Sequence, residues 1–344
     1  MDYKTFRESD LTFREVSEAI REGREWLDQQ ARMNDFRTYR VDITEELKPT
    51  ASILSLEGVG FASEGNISAV VGEAKSKKTF LCSGIVAGML NVQQQPVLGS
   101  DPRPENTVLW VDTEQSKTHV QFTARRIHHL AGYDTERNSD NFRMLALREI
   151  DPKQRAKFLF EAIDEWRPRL VVIDGISDLL YNTNDLEESE RLITQLMRTS
   201  SRLKNHILVV LHTNPGSDKA RGHIGSALLR KSESVLYVRK VGDCSIVEPQ
   251  FCRNEPFERF AFRINEQALP ERCELPREVT ERSGSEVLLA VREAGGNFVE
   301  RKVVVSKLCE RLGCNENVAR IRISRALKRG DLQEESNGTL SLSA

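Results

Sequence analysis

Aromatic residues make up only 6% of the 344-residue chain, and no apolar run approaches the ~18 residues needed to cross a membrane. The opening Met-Asp-Tyr-Lys-Thr-Phe-Arg-Glu has no apolar signal core. Cysteine is sparse: Cys82, Cys244, Cys252, Cys273, Cys309 and Cys314 are scattered, and none forms a C-x-x-C pair. That pattern argues against a clustered zinc site and predicts buried free thiols in a reducing cytoplasm. A surplus of positive charge is also missing. Fifty Lys and Arg face 52 Asp and Glu, a net charge of −2, so any DNA-binding surface must be local. A cytoplasmic protein with no membrane partner is the expectation.

What is present is a loop. Gly72-Glu73-Ala74-Lys75-Ser76-Lys77-Lys78-Thr79 matches the phosphate-binding pattern G-x-x-x-x-G-K-[ST] with one departure, Lys77 in place of the second glycine. A β-branched segment, residues 66–71, precedes it, and an apolar stretch beginning at Phe80 reads as a buried helix. In that setting the loop amides face phosphates, Lys78 reaches the β- and γ-phosphates of ATP, and Thr79 ligates Mg²⁺. Glycine is favoured at position 77 for close approach or positive φ. A side chain there costs roughly 1–2 kcal/mol, less than a triphosphate's charge-assisted hydrogen bonds supply. The competing reading is a lysine-rich surface turn.

Around the loop, strands and helices alternate. Strands are predicted at 107–112, 142–147, 170–174 and 206–211, with helices at 117–130, 152–166 and 186–203. Continuous apolar strands between helices imply a mostly parallel sheet covered on both faces, an α/β fold. Three closely spaced strands, 233–240, 244–250 and 257–265, are expected to run antiparallel. Residues 1–50 read as a charged helical arm carrying Phe13, Val16, Ile20 and Trp26, 51–265 as the core, 266–282 as a linker and 283–344 as a separate small domain.

Three strand ends carry candidate chemistry. Asp174 closes an apolar strand and can hold Mg²⁺ directly or through water; the alternative is a cap on the next turn. Glu114, just past the second strand, can polarise an attacking water; otherwise it simply starts a helix. His212 can sense the γ-phosphate, or be a core histidine. Lys219 and Arg221, in the polar stretch beyond it, are candidates for nucleic-acid contact or solvated loop charges.

Phosphate loop, Asp112-Thr113-Glu114, Asp174-Gly175-Ile176-Ser177-Asp178 and His212-Thr213-Asn214 with Arg221-Gly222-His223-Ile224-Gly225-Ser226 follow in that order. The set resembles the RecA-like ATPases, in particular the RepA/DnaB-type replicative helicase and AAA_25 branch, over about residues 50–265. The resemblance implies ATP held between subunits of a ring, usually a hexamer, and single-stranded DNA at the core. It further implies a basic finger reaching the neighbour's site from the end of a late strand. Here that is Arg239, with Lys231 or Lys240 as alternates. It also implies a role in replication of plasmids and other mobile elements. With Lys77 in the loop, a nucleotide-gated DNA-binding regulator with little hydrolysis is the alternative.

The last sixty residues read as three helices and a hairpin with an Asn337-Gly338 turn. They resemble a winged helix-turn-helix. The third helix, capped by Asn315, would present Arg320, Arg322, Arg325, Lys328 and Arg329 on an exposed face to duplex DNA. Protein contact is the competing use.

Overall fold

The computed structural model describes residues 21, 35–47, 49–56, 58–90, 103, 105–214, 220–276, 286–296, 298–335 and 337–342. Phe13, Val16, Ile20, Trp26 and Lys219 lie outside them. The chain divides into two units, Met1–Pro49 and Thr50–Ala344. In the first, Phe36–Tyr39 forms a 3₁₀ turn whose N-cap, Asp35, accepts from the Arg37 amide.

The second unit is organised on a nine-stranded sheet. A hairpin of β1 (Ser52–Leu56) and β2 (Val59–Ser63) precedes it. The sheet's strands are β3 (Asn66–Gly72), β4 (Val108–Asp112), β5 (Phe142–Ala146), β6 (Leu170–Asp174), β7 (His206–His212), β8 (Ser234–Val241), β9 (Cys244–Cys252), β10 (Phe260–Ile264) and β11 (Pro270–Cys273). Their order is β11-β10-β9-β8-β3-β7-β6-β4-β5. From β8 through β5 the pairing is parallel, and from β8 to β11 it is antiparallel.

Strand periodicity sorts the apolar side chains into two layers. On β3, Val70 joins the layer with α1 (Lys78–Leu90) and α2 (Lys117–Ala131). Ile67, Ala69 and Val71 join the layer with α3 (Pro152–Trp166), α4 (Leu186–Leu203) and α5 (Gly222–Lys231). Both faces are covered, so the central strands are predominantly apolar. Asp151 and Asp185 cap α3 and α4, accepting from the amides of Gln154 and Glu188.

Two local expectations need correction. The polar stretch after His212, read as loop, becomes α5 at Gly222, because Ile224, Ala227 and Leu228 fall on one face and bury against the sheet. The linker read at 266–282 contains β11, which pairs with β10 from Ala261↔Cys273 to Ile264↔Pro270. Beyond it, helical residues 286–293 (α6), α7 (Arg301–Leu312) and α8 (Glu316–Arg329) pack on a sheet of β12 (Val299–Glu300), β14 (Thr339–Leu342) and β13 (Leu332–Glu334), in that order. Val287, Val291, Val304, Leu308, Ile323 and Leu340 form their shared core. Among the described residues no helix is long and apolar enough to cross a membrane.

Candidate nucleotide site

The loop between β3 and α1 wraps around its own lysine. Lys78 Nζ donates to the carbonyls of Gly72 and Glu73, each at 2.8 Å, and lies 3.1 Å from His212 Nδ1. The ammonium is nearly enclosed, and burial pushes its pKa down to about 8. On the other side of the ring, His212 Nε2 lies 3.5 Å from Glu114 Oε1. Lys78, His212 and Glu114 thus form one polar chain, supplied by the start of α1, the end of β7 and the turn after β4. The His212 hydrogen bond, against the opposing effect of burial, holds the Glu114 carboxyl below its usual range.

Thr79 Oγ1 donates to Asp174 Oδ2 at 2.8 Å. Asp174 is buried, and that burial pushes its carboxyl up to about 7 despite the hydroxyl. A hydroxyl beside a desolvated carboxylate is the oxygen set that suits Mg²⁺. Among the described residues no group of three His, Cys, Asp or Glu side chains could hold a metal alone. The pair therefore fits a cation that shares its ligands with a nucleotide's phosphates.

Glycine at 72 and 175 is required by space. A Cβ on Gly72 would stand 2.1 Å from the Val238 carbonyl of the neighbouring strand. A Cβ on Gly175 would stand 2.3 Å from Glu114 Oε1, so this glycine leaves room for the carboxylate. Lys77 has φ +71° and Lys75 φ +64°, so two lysines occupy left-handed backbone. The Lys77 side chain donates to the Asp243 carbonyl at 3.2 Å. Glu73, Ala74 and Lys75 are exposed and Ser76 is buried. Ser245 Oγ donates to the Ser76 carbonyl.

A cavity of about 380 Å³ opens over the loop, lined by Lys75, Lys77, Lys78, Thr79, Phe80, Asp174, Glu114 and His212 from the sequence-predicted set. Asp112, Gln115, Thr123 and Arg126 complete it. Asp112 accepts from the amides of Glu114 and Gln115 and from Gln115 Nε2, fixing the turn that aims Glu114. The Arg126 guanidinium lies 3.8 Å from the Phe80 ring centroid. Thr123 and Arg126 carried no motif; only the i, i+3 spacing on α2 places them together, and only the packing of α2 brings them to the loop.

The remaining predicted residues lie elsewhere. Arg239, outside this cavity, pairs with Glu248 at 3.4 Å. Arg221 is the exposed N-cap of α5, and its amide donates to the His212 carbonyl. Arg320 is exposed and pairs with Glu316. Arg322 and Arg325, expected on the same solvent face, instead turn toward the core. Arg325 Nε meets Glu258 at 3.0 Å, and both arginines line a cavity with core residues. Acidic residues on the core side draw that face of α8 inward. Lys328 and Arg329 close α8.

The sequence profile of the AAA_25 family, described as an AAA domain, matches residues 44–218, half of the chain. Among solved structures, the crystal structure of the RadB recombinase aligns with a TM-score of 0.47 and 20% sequence identity, over 64% of this chain and 95% of the recombinase chain. No curated protein matched.

Proposed function

The chain belongs to the AAA_25 family of P-loop ATPases, and on that premise we propose that it binds ATP with Mg²⁺ at Gly72–Thr79 and hydrolyses it while acting on DNA. One observation carries the reading. Lys78 and Thr79 at the start of α1, Asp174 and His212 at the ends of β6 and β7, and Glu114 just past β4 meet at a single cavity. Lys78 is held by carbonyls and His212, ready to turn to phosphate oxygens. Thr79 and Asp174 would hold Mg²⁺, which when bound neutralises developing charge on the phosphates. Glu114 stays ionised beside His212 and accepts a proton from the attacking water, and His212 reports γ-phosphate occupancy to it through the shared hydrogen bond. Arg239, on β8 outside the cavity, suits a finger acting on a neighbouring copy, in a ring of the hexameric kind. Replicative helicase activity is the finer reading, with Arg221 near single-stranded DNA and the α6–α8 unit as a winged helix-turn-helix.

Steady-state ATPase with and without single-stranded DNA tests this, together with mass in solution under ATP·Mg²⁺. Glu114→Gln is expected to keep ATP binding while turnover falls roughly 10²–10⁴-fold. Loss of binding alongside turnover would remove Glu114 from the chemical step. Lys77 favours a second reading, a nucleotide-gated DNA-binding regulator, because its left-handed backbone and its tie to Asp243 stiffen the loop. Binding without turnover in the unaltered chain, with or without DNA, would select it.

A further inference from the structure

A second concentration of charge lies where α8 meets the antiparallel edge of the sheet. Here a cavity of about 140 Å³ is lined by Glu248, Glu258 and Arg259 from the core and by Arg322 and Arg325 from α8. Arg239 belongs to the same network, since Glu248 sits 3.4 Å from Arg239 and 3.7 Å from Arg259. Four guanidinium groups and two carboxylates therefore meet here. Burial weakens the hold of Arg259 on its proton, Glu248 opposes that, and Arg322, Arg239 and Arg325 add to it. The rest of the lining is apolar, including Phe257, Leu275, Val318 and Ile321, which strengthens every charge interaction inside.

Arg322 is the telling member. Arg239 and Arg259 have Glu248, and Arg325 has Glu258, but Arg322 makes no ion pair or hydrogen bond with any described residue. A half-buried guanidinium facing like charge is costly unless an anion joins it. Arg322 and Arg325 from α8 and Arg259 from just before β10 converge here, and the donors of Arg322 are taken up by no described residue. A tetrahedral oxyanion matches that donor set, and the cavity holds several waters or one such group.

We propose that the junction of α8 with the sheet edge is a binding site for a phosphate-class oxyanion, gripped by Arg259, Arg322 and Arg325. The source is either free phosphate or the phosphodiester backbone of a nucleic-acid strand. The site is separate from the nucleotide cavity and does not rest on the ATPase reading. An occupant would pin the C-terminal helices to the core.

The test uses the full chain carrying Lys78→Ala, which removes the buried lysine of the phosphate loop. Calorimetric titration with inorganic phosphate, and separately with a short thymidine oligonucleotide lacking terminal phosphates, is repeated after adding Arg322→Gln, Arg322→Lys or Arg137→Gln. We expect at least one probe to bind. Arg322→Gln should weaken it at least tenfold, Arg322→Lys should weaken it less, and Arg137→Gln, an exposed arginine remote from the junction, should leave it within twofold. Because Arg322 faces like charge and makes no bond with a described residue, Arg322→Gln should melt no lower than the parent. Phosphate as the probe affected identifies a free anion; the oligonucleotide identifies a strand backbone. If neither probe binds, or if binding is unchanged by Arg322→Gln, or if Arg137→Gln weakens it equally, the proposal is overturned.

Discussion

Lys77 and Gly72 occupy the same loop, and substitution should treat them oppositely. Lys77 already bears a side chain at φ +71°, where the cost is roughly 1–2 kcal/mol, offset in part by its hydrogen bond to Asp243. Lys77→Gly exchanges one for the other, so chemical denaturation should place it within about 1 kcal/mol of the parent, with ATP affinity kept. Gly72→Ala instead drives a Cβ into the Val238 carbonyl of a paired strand. Neither backbone can yield cheaply inside a sheet, so a loss of about 1–3 kcal/mol or more is expected, and nucleotide binding should go with it. Equal stability for Gly72→Ala and the parent would mean the strands do not approach this closely. The loop's glycine pattern was legible in the sequence. Where each departure would be tolerated was not, because that depends on which backbone lies opposite.

At the scale of elements, the β8–β9 hairpin braces the phosphate loop from the side. Asp243 in its turn holds Lys77, and Ser245 on β9, fully buried, donates to the Ser76 carbonyl. Ser245→Ala should therefore cost about 1 kcal/mol of stability. It should also weaken ATP binding several-fold by loosening a loop it does not share a strand with. Hydrogen exchange at the amides of residues 74–78 would rise if this holds and stay unchanged if the brace is idle. The central elements were readable from sequence because their apolar runs are continuous and their helices have caps and breaks. β11 was hidden in a charged, proline-bearing stretch, since an edge strand needs only one buried face. α5 was hidden behind its own polar first turn. The face α8 turns inward was misjudged because arginine stripes look alike in solvent and against a carboxylate-bearing wall.

For the whole molecule, His206 ties stability to pH. It opens β7 between β3 and β6, is wholly buried, and its Nδ1 donates to the Ser63 carbonyl at 2.8 Å. Burial pushes its pKa down to about 4 from 6.5. Below 6.5 the unfolded chain takes up a proton that the folded chain refuses, so the stability present above 6.5 is lost as pH falls toward 4. The loss is on the order of 3 kcal/mol. Denaturation midpoints across that window should show the slope, and His206→Gln should flatten it; an equal slope in the variant would assign the titration to other groups. The amino-acid order by itself determined the alternation of strands and helices, the doubly covered sheet and the identity of the phosphate loop, because these follow from local periodicity and spacing. Only the tertiary structure decided that Arg126 joins the loop, that His212 links Lys78 to Glu114, and that Arg322 and Arg325 face the core. Those are contacts between residues far apart in the chain, and their energies depend on burial and on opposing charge that no local pattern records.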